Sequence, residues 1–143
     1  MQTVEDVDGS RYLLLKRSEG SSLVRDPGTG EERYVETDSL SAIEGASALE
    51  LAASEVDEPV RRLLRAVHDD RTLGLLCLLD TGARPVRELL SLDSLCESDF
   101  HGLVTELRAA GLIEECEVAG ERGYRTTETA REALSSLRDS GGE

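Results

Sequence analysis

The chain has 143 residues, the size of one ordinary domain or of one domain with a small appendage, and it is too short for a barrel enzyme or a full dinucleotide-binding fold. It carries 30 Asp and Glu against 16 Lys and Arg, a net charge of −14 in which Lys16 is the single lysine. That balance argues against a polybasic surface for nucleic acid or lipid. The apolar fraction of 38% includes 23 leucines but one Phe, three Tyr and no Trp, enough for one aliphatic core and too much for global disorder.

No apolar stretch follows a basic start, and the longest apolar run, Leu75 to Leu79, is far short of the roughly 20 residues of a membrane span. The chain reads as cytoplasmic. Cys77, Cys96 and Cys116 form an odd set with no CxxC and no nearby histidine pair, which points to three separate buried thiols rather than a disulfide framework or a zinc site. The acid excess with one lysine resembles the cytoplasmic proteins of salt-loving archaea. In molar salt the Debye length falls to about 3 Å, so a net negative charge repels DNA far less than in dilute buffer.

Charge and pattern divide the chain. Residues 1–58 hold 14 acidic and 5 basic residues, net −9, and residues 59–143 hold 16 and 11, net −5. In the first part, Arg11 to Arg17, Leu23-Val24 and Tyr34-Val35 are separated by Glu19-Gly20-Ser21-Ser22 and by Asp26-Pro27-Gly28-Thr29-Gly30. The pattern predicts a small β-meander over 1–38, with Pro27 and the glycines supplying turn geometry. Leu40, Ile43, Leu49, Leu51 and Val56 are scattered through a Ser/Ala/Glu-rich stretch, read as a helical connector over 39–58. A meander of this size does not bury both faces alone and should pack on the rest of the chain or on a protein partner.

Val60, Leu63, Leu64 and Val67 fall at the spacing of an apolar helix stripe beginning at Pro59, with Arg61, Arg62 and Arg65 facing out. Leu73, Leu75, Leu76, Cys77, Leu78 and Leu79 make the next helix apolar nearly all round, hence central in a core. Thr81-Gly82 ends it, and Pro85 opens another helix with Val86, Leu89 and Leu90 inward. After a turn at Asp93-Ser94-Leu95, a further helix turns Phe100, Leu103, Val104 and Leu107 inward and stops at Ala110-Gly111-Leu112. Leu112 to Val118 and Tyr124-Arg125-Thr126 read as the two strands of a hairpin whose tip is Ala119 to Gly123. Thr127 caps a last helix with Ala130, Leu134 and Leu137 inward. Residues 139–143 are a tail.

Two helices joined by a short turn and followed by a hairpin form a helix-turn-helix with a wing. Over 59–138 the chain resembles the ArsR-type and neighbouring MarR-like winged helix-turn-helix regulators. Val86-Arg87-Glu88-Leu89 matches the start of their second helix, Leu107 to Ile113 the end of their recognition helix, and Gly120 to Glu128 their wing and last helix. The expected fold class is α+β, a small N-terminal β-meander followed by a winged helix-turn-helix domain. The resemblance implies a regulator of double-stranded DNA, commonly a homodimer pairing through its last helix or, here, the connector. On that basis Ser98, His101, Gly102, Thr105 and Arg108 of the recognition helix would face a major groove, Arg84 and Arg87 would meet phosphates, and Arg122 and Arg125 would reach from the wing. The family commonly presents Ser, Arg and His near the positions of His101, Gly102 and Leu103, and this chain departs from that.

No nucleophile at a motif spacing, no histidine pair and no phosphate-binding glycine loop occur, so no enzyme and no cofactor are expected. The thiolate site of some ArsR-type metal sensors would fall on Leu89 to Asp93, which holds no cysteine, and no metal is expected. The alternative reading, from another class, is a winged-helix protein-interaction module that binds a protein partner, with the meander, and does not contact DNA.

Overall fold

The computed structural model describes residues 1–45, 47–92 and 96–141. The chain divides into two compact units, Met1–Val56 and Asp57–Glu143. No helix among the described residues is long and apolar enough to cross a membrane.

The first unit is a five-stranded antiparallel sheet. Strands β1 (Gln2–Glu5), β2 (Arg11–Lys16), β3 (Ser21–Arg25) and β4 (Glu32–Glu36) run as a meander, and β5 (Ser41–Ala42) returns beside β1, giving the order β4-β3-β2-β1-β5. The expected three strands are present, flanked by two that the pattern does not announce. Gln2 to Glu5 is too short and too polar to show alternation, and Ser41-Ala42 is set by pairing alone, with Val4 opposite Ala42 and Ile43 N donating to Thr3 O. The connector therefore contributes a strand before the helix α1 (Ala48–Ala53), whose cap is Ser47 accepting from the Leu49 and Glu50 amides. Asp6 and Asp26 fold the first and third hairpin turns by accepting from amides two to four residues on. Val4, Tyr12 and Val24 form a small core with Leu14, Val35 and Leu40 packed against it. The Arg33 guanidinium donates to the Tyr12 hydroxyl across this face.

The second unit holds α2 (Glu58–Ala66), α3 (Asp70–Asp80), β6 (Arg84–Pro85), α4 (Val86–Leu90), α5 (Glu97–Ala109), β7 (Ile113–Val118), β8 (Glu121–Thr126) and α6 (Glu128–Gly141). The sheet order is β6-β8-β7. Its core is aliphatic, from Leu63, Leu76, Leu79, Leu89, Val104, Leu107, Leu112 and Leu134, around Phe100 and Tyr124 packed edge to face with centroids 6.4 Å apart. The α3 helix is central through Leu76 and Leu79, which are buried, while Leu73, Leu75 and Leu78 are half-buried. Asp69 caps it, accepting from the Thr72 amide and hydroxyl. These bonds, the amide's first, hold the Asp69 carboxyl below the usual carboxylate range.

Three expectations of burial fail. Leu64 is 61% exposed and Leu137 is 45% exposed, although both complete a helical apolar spacing. Their turns already bury Val60 and Leu63, and Ala130, Ala133 and Leu134, so each stripe is wider than the face that packs. Of the cysteines, Cys96 is exposed and Cys77 and Cys116 are only half-buried. The expected turn at Asp93-Ser94-Leu95 lies outside the described residues.

Candidate nucleic-acid interface

Helix α5 stops in a Schellman arrangement. Gly111 takes φ +74°, its amide donates to Arg108 O, and the Leu112 amide donates to Leu107 O. At about 100° per residue, Ser98, His101, Gly102, Thr105 and Arg108 occupy roughly a third of the helix circumference, opposite buried Phe100, Val104 and Leu107. All five are exposed. The centre of that face, Ser98, Gly102 and Thr105, is uncharged, and nothing lies within 4 Å of where a Gly102 Cβ would stand. Acids border it on both sides, Glu97 on one and Asp99 and Glu106 on the other. The Thr105 hydroxyl donates to His101 O at 2.7 Å, and His101 Nε2 lies 3.6 Å from Glu97.

The wing is tighter than the sequence predicts. Its tip is two residues, Ala119 at φ +51° and Gly120 at φ +83°, as in the two-residue turns that match the twist of a hairpin. The expected five-residue tip is therefore too long, and the tip carries no cation. Gly123 is required where it stands, since a Cβ there would run into the Arg84 backbone carbonyl of the adjoining β6. This close approach fastens the start of α4 to the base of the wing.

Each arginine expected at phosphates already has a partner. Arg87 donates through Nε and an Nη to both Glu121 oxygens at 3.0 Å. The shared hydrogen bonds, then the charges, push Arg87 up and Glu121 down in pKa. Arg125 donates to Glu114 at 2.8 Å and is likewise raised. Glu115 serves two cations, lying 3.5 Å from Arg122 and 3.9 Å from Arg108. Arg122 also donates to the Tyr124 hydroxyl at 3.1 Å, the first cause of its raised pKa. Arg84 is half-buried, donates to the Thr81 hydroxyl at 3.2 Å, and has a buried Nε with no hydrogen-bond partner among the described residues.

Successive residues of a strand point to opposite faces, so β8 separates its two arginines. Arg122 shares a face with Tyr124 and meets Glu115 and Arg108. Arg125 falls on the other, with Glu121 and through it Arg87. Of the nine predicted residues, five lie on the α5 face, Arg108 and Arg122 meet at Glu115, Arg87 and Arg125 are held by separate carboxylates, Glu121 and Glu114, and Arg84 is half-buried. Sequence reasoning missed the carboxylates, Glu114, Glu115 and Glu121, because the hairpin register decides which acid stands beside which arginine.

A family model described as a family of unknown function (DUF7346) matches residues 1–138. The chain belongs to this family. No curated protein matches it. Among solved structures, the chain is similar to the transcriptional regulator HlyU from Vibrio vulnificus, at 24% identity and TM-score 0.50 over 64% of this chain and 92% of that one. HlyU from Vibrio cholerae gives 23% and 0.50, covering 62% and 100%. The homodimeric winged helix-turn-helix DNA-binding domain of Mb0332 from Mycobacterium bovis, described as a possible ArsR-family regulator, gives 21% and 0.52, covering 69% and 90%. At these identities the likeness shows the fold alone, a winged helix-turn-helix, and with the antiparallel sheet of the first unit the fold class is α+β.

Proposed function

We propose that the chain is a DNA-binding transcriptional regulator, not an enzyme, that presents the uncharged centre of α5 to a major groove of double-stranded DNA. The observation that carries this reading is the α5 face itself. Ser98 and Thr105 place hydroxyls beside Gly102, where the missing side chain lets another surface come close, and His101 and Arg108 flank them. Such a stripe suits base edges read at short range, with cations needed only for position. Arg87 and Arg125 supply the phosphate contacts by leaving Glu121 and Glu114, since the two non-bridging oxygens of a phosphate group can take a guanidinium as a carboxylate does. The fold shared with HlyU and with the homodimeric Mb0332 domain supports both the activity and a homodimer. Leu64 and Leu137, apolar and exposed on α2 and α6, support pairing through those helices. The acid excess suits a salt-rich cytoplasm, where the repulsion of DNA is screened.

Selection of bound sequences from a random duplex library, followed by fluorescence anisotropy from low to molar KCl, tests this. Enrichment of a motif, above all a palindrome, is the expected result, and folded protein that enriches nothing would overturn it. The internal pairing of the wing arginines favours one other reading, a winged helix that binds protein through this surface and leaves its cations neutralised. Absence of enrichment, with capture of a defined partner lost on substituting α5, would establish that reading instead.

A further inference from the structure

A cleft of about 720 Å³ opens between the C-terminal ends of α2 and α5, lined by Arg62, Arg65, His68, Glu106, Arg108 and the backbone of Gly111. We infer that this cleft is a binding site for a small multivalent anion, one carrying two or more phosphate or carboxylate groups. Its charge runs against the composition of the chain. Acids outnumber Lys and Arg by 30 to 16 overall, yet three guanidiniums and an imidazole face one carboxylate here. Part of the excess is structural, because Arg65 and Arg108 stand in the last turns of their helices, where the dipole favours a cation. That accounts for two arginines near two helix ends, and it does not account for their convergence with Arg62 and His68 on one cavity.

The three guanidiniums differ in how firmly they are held. Arg62 already has a partner: it donates to Glu58 one turn back at 3.0 Å, and its Nη1 lies close to Gly111, 3.1 Å from where a Cβ there would stand. Arg65 is exposed and has no hydrogen-bond or ion-pair partner among the described residues. Arg108 reaches Glu115 only at 3.9 Å, beyond hydrogen-bond range. An oxyanion entering the cleft therefore meets one guanidinium that it shares with Glu58 and two that gain their first charge-assisted hydrogen bonds from it. The volume lies in the range of small-molecule sites, larger than a single inorganic ion needs. Arg108 also belongs to the α5 face, so occupancy would draw it from the wing. That consequence rests on the DNA-binding reading, and the binding itself does not.

Titration calorimetry of the full chain with pyrophosphate and with citrate, without DNA, tests the site. Saturable binding of one anion per chain is expected for at least one of them. Arg65→Gln should weaken it about tenfold or more, the loss of one charge-assisted contact, while Arg17→Gln in the first unit, which removes the same charge, leaves it unchanged. Thermal midpoints of the ligand-free variants verify that each is folded. Pyrophosphate alone, citrate alone or both binding with this dependence on Arg65 each supports the site, and the pattern identifies the ligand as phosphate ester, polycarboxylate or either. No saturable heat from either anion, or affinities equal in the wild type and Arg65→Gln, would overturn it. Failure here leaves the selection of duplex sequences untouched, and failure of that selection leaves this binding intact.

Discussion

Helix α5 and the wing, the two regions that would meet DNA under the proposed function, are charged in opposite ways. On α5 the acids stand aside at the borders, and the centre is left uncharged. On the hairpin both arginines are matched to acids of the neighbouring strand, and Glu121 holds Arg87 of α4. In the proposed complex the helix would need no rearrangement, whereas the wing would have to exchange partners before it could contribute. Exposed ion pairs of this kind stabilise a fold little.

Both regions depend on one buried contact, and the largest effect comes from removing it. Phe100 fills the space between α5 and the wing strand β8, buried against Tyr124. Phe100→Ala should cost about 3–5 kcal/mol and abolish any difference between helix and wing by unfolding the unit, which denaturant titration followed by circular dichroism would read. A variant that stays folded with unchanged stability would mean that the two regions do not share a core.

The next effect separates the two faces of the hairpin. Arg87→Glu with Arg125→Glu reverses charge on the face joined to α4, and retention on duplex DNA should be lost. Arg108→Gln with Arg122→Gln, on the other face, should weaken it by about tenfold or less, since rim cations position without specifying. Anisotropy at one salt concentration distinguishes them. The reverse order would place the duplex on the Glu115 side of the wing.

How much of this was legible in sequence varies by element. Helices α2, α5 and α6 were, because their apolar positions recur at helical spacing, α3 because it is apolar nearly all round, and α4 from Pro85 at its start, while the Ala110-Gly111-Leu112 stop carries its own chemistry. Strands β1 and β5 were not, because four and two mostly polar residues have no period to detect and are defined by partners distant in sequence. The wing shows the sharper limit. A five-residue tip at Ala119 to Gly123 puts Val118 opposite Tyr124, whereas the two-residue tip puts Val118 opposite Glu121 and Glu114 opposite Arg125. Ala119 adopts a positive φ that non-glycine residues seldom take, so the short turn is not the natural expectation, and every pairing of acid with arginine follows from it.

A smaller effect appears with pH. Asp69 and Glu121 both titrate below the ordinary carboxylate range, Asp69 through the bond from the Thr72 amide and Glu121 through those from Arg87. A carboxyl with a lowered folded pKa gives stability that is complete above its unfolded pKa and is lost as pH falls through the folded one. Asp69→Ala should therefore lower the thermal midpoint at neutral pH, and the gap from wild type should close as pH falls below the carboxylate range. A gap independent of pH would show that the cap acts without its charge.

The smallest effect is the one that tests the comparison most directly. When a phosphate takes a free arginine, counterions leave the DNA and log K falls with log salt by about 0.9 per contact. When the phosphate takes Arg87 from Glu121, a carboxylate is uncovered and recruits a cation, which offsets the release. A wing that is internally paired should thus bind with a shallower salt slope than its arginine count implies. Glu121→Gln removes the carboxylate while keeping a neutral side chain of the same shape, so Arg87 no longer exchanges one anion for another. The variant should bind duplex a few-fold more tightly at low salt, with its slope steeper by about one. An unchanged slope would show that Arg87 stays on Glu121 in the complex, leaving the uncharged face of α5 to hold the duplex with help from other cations.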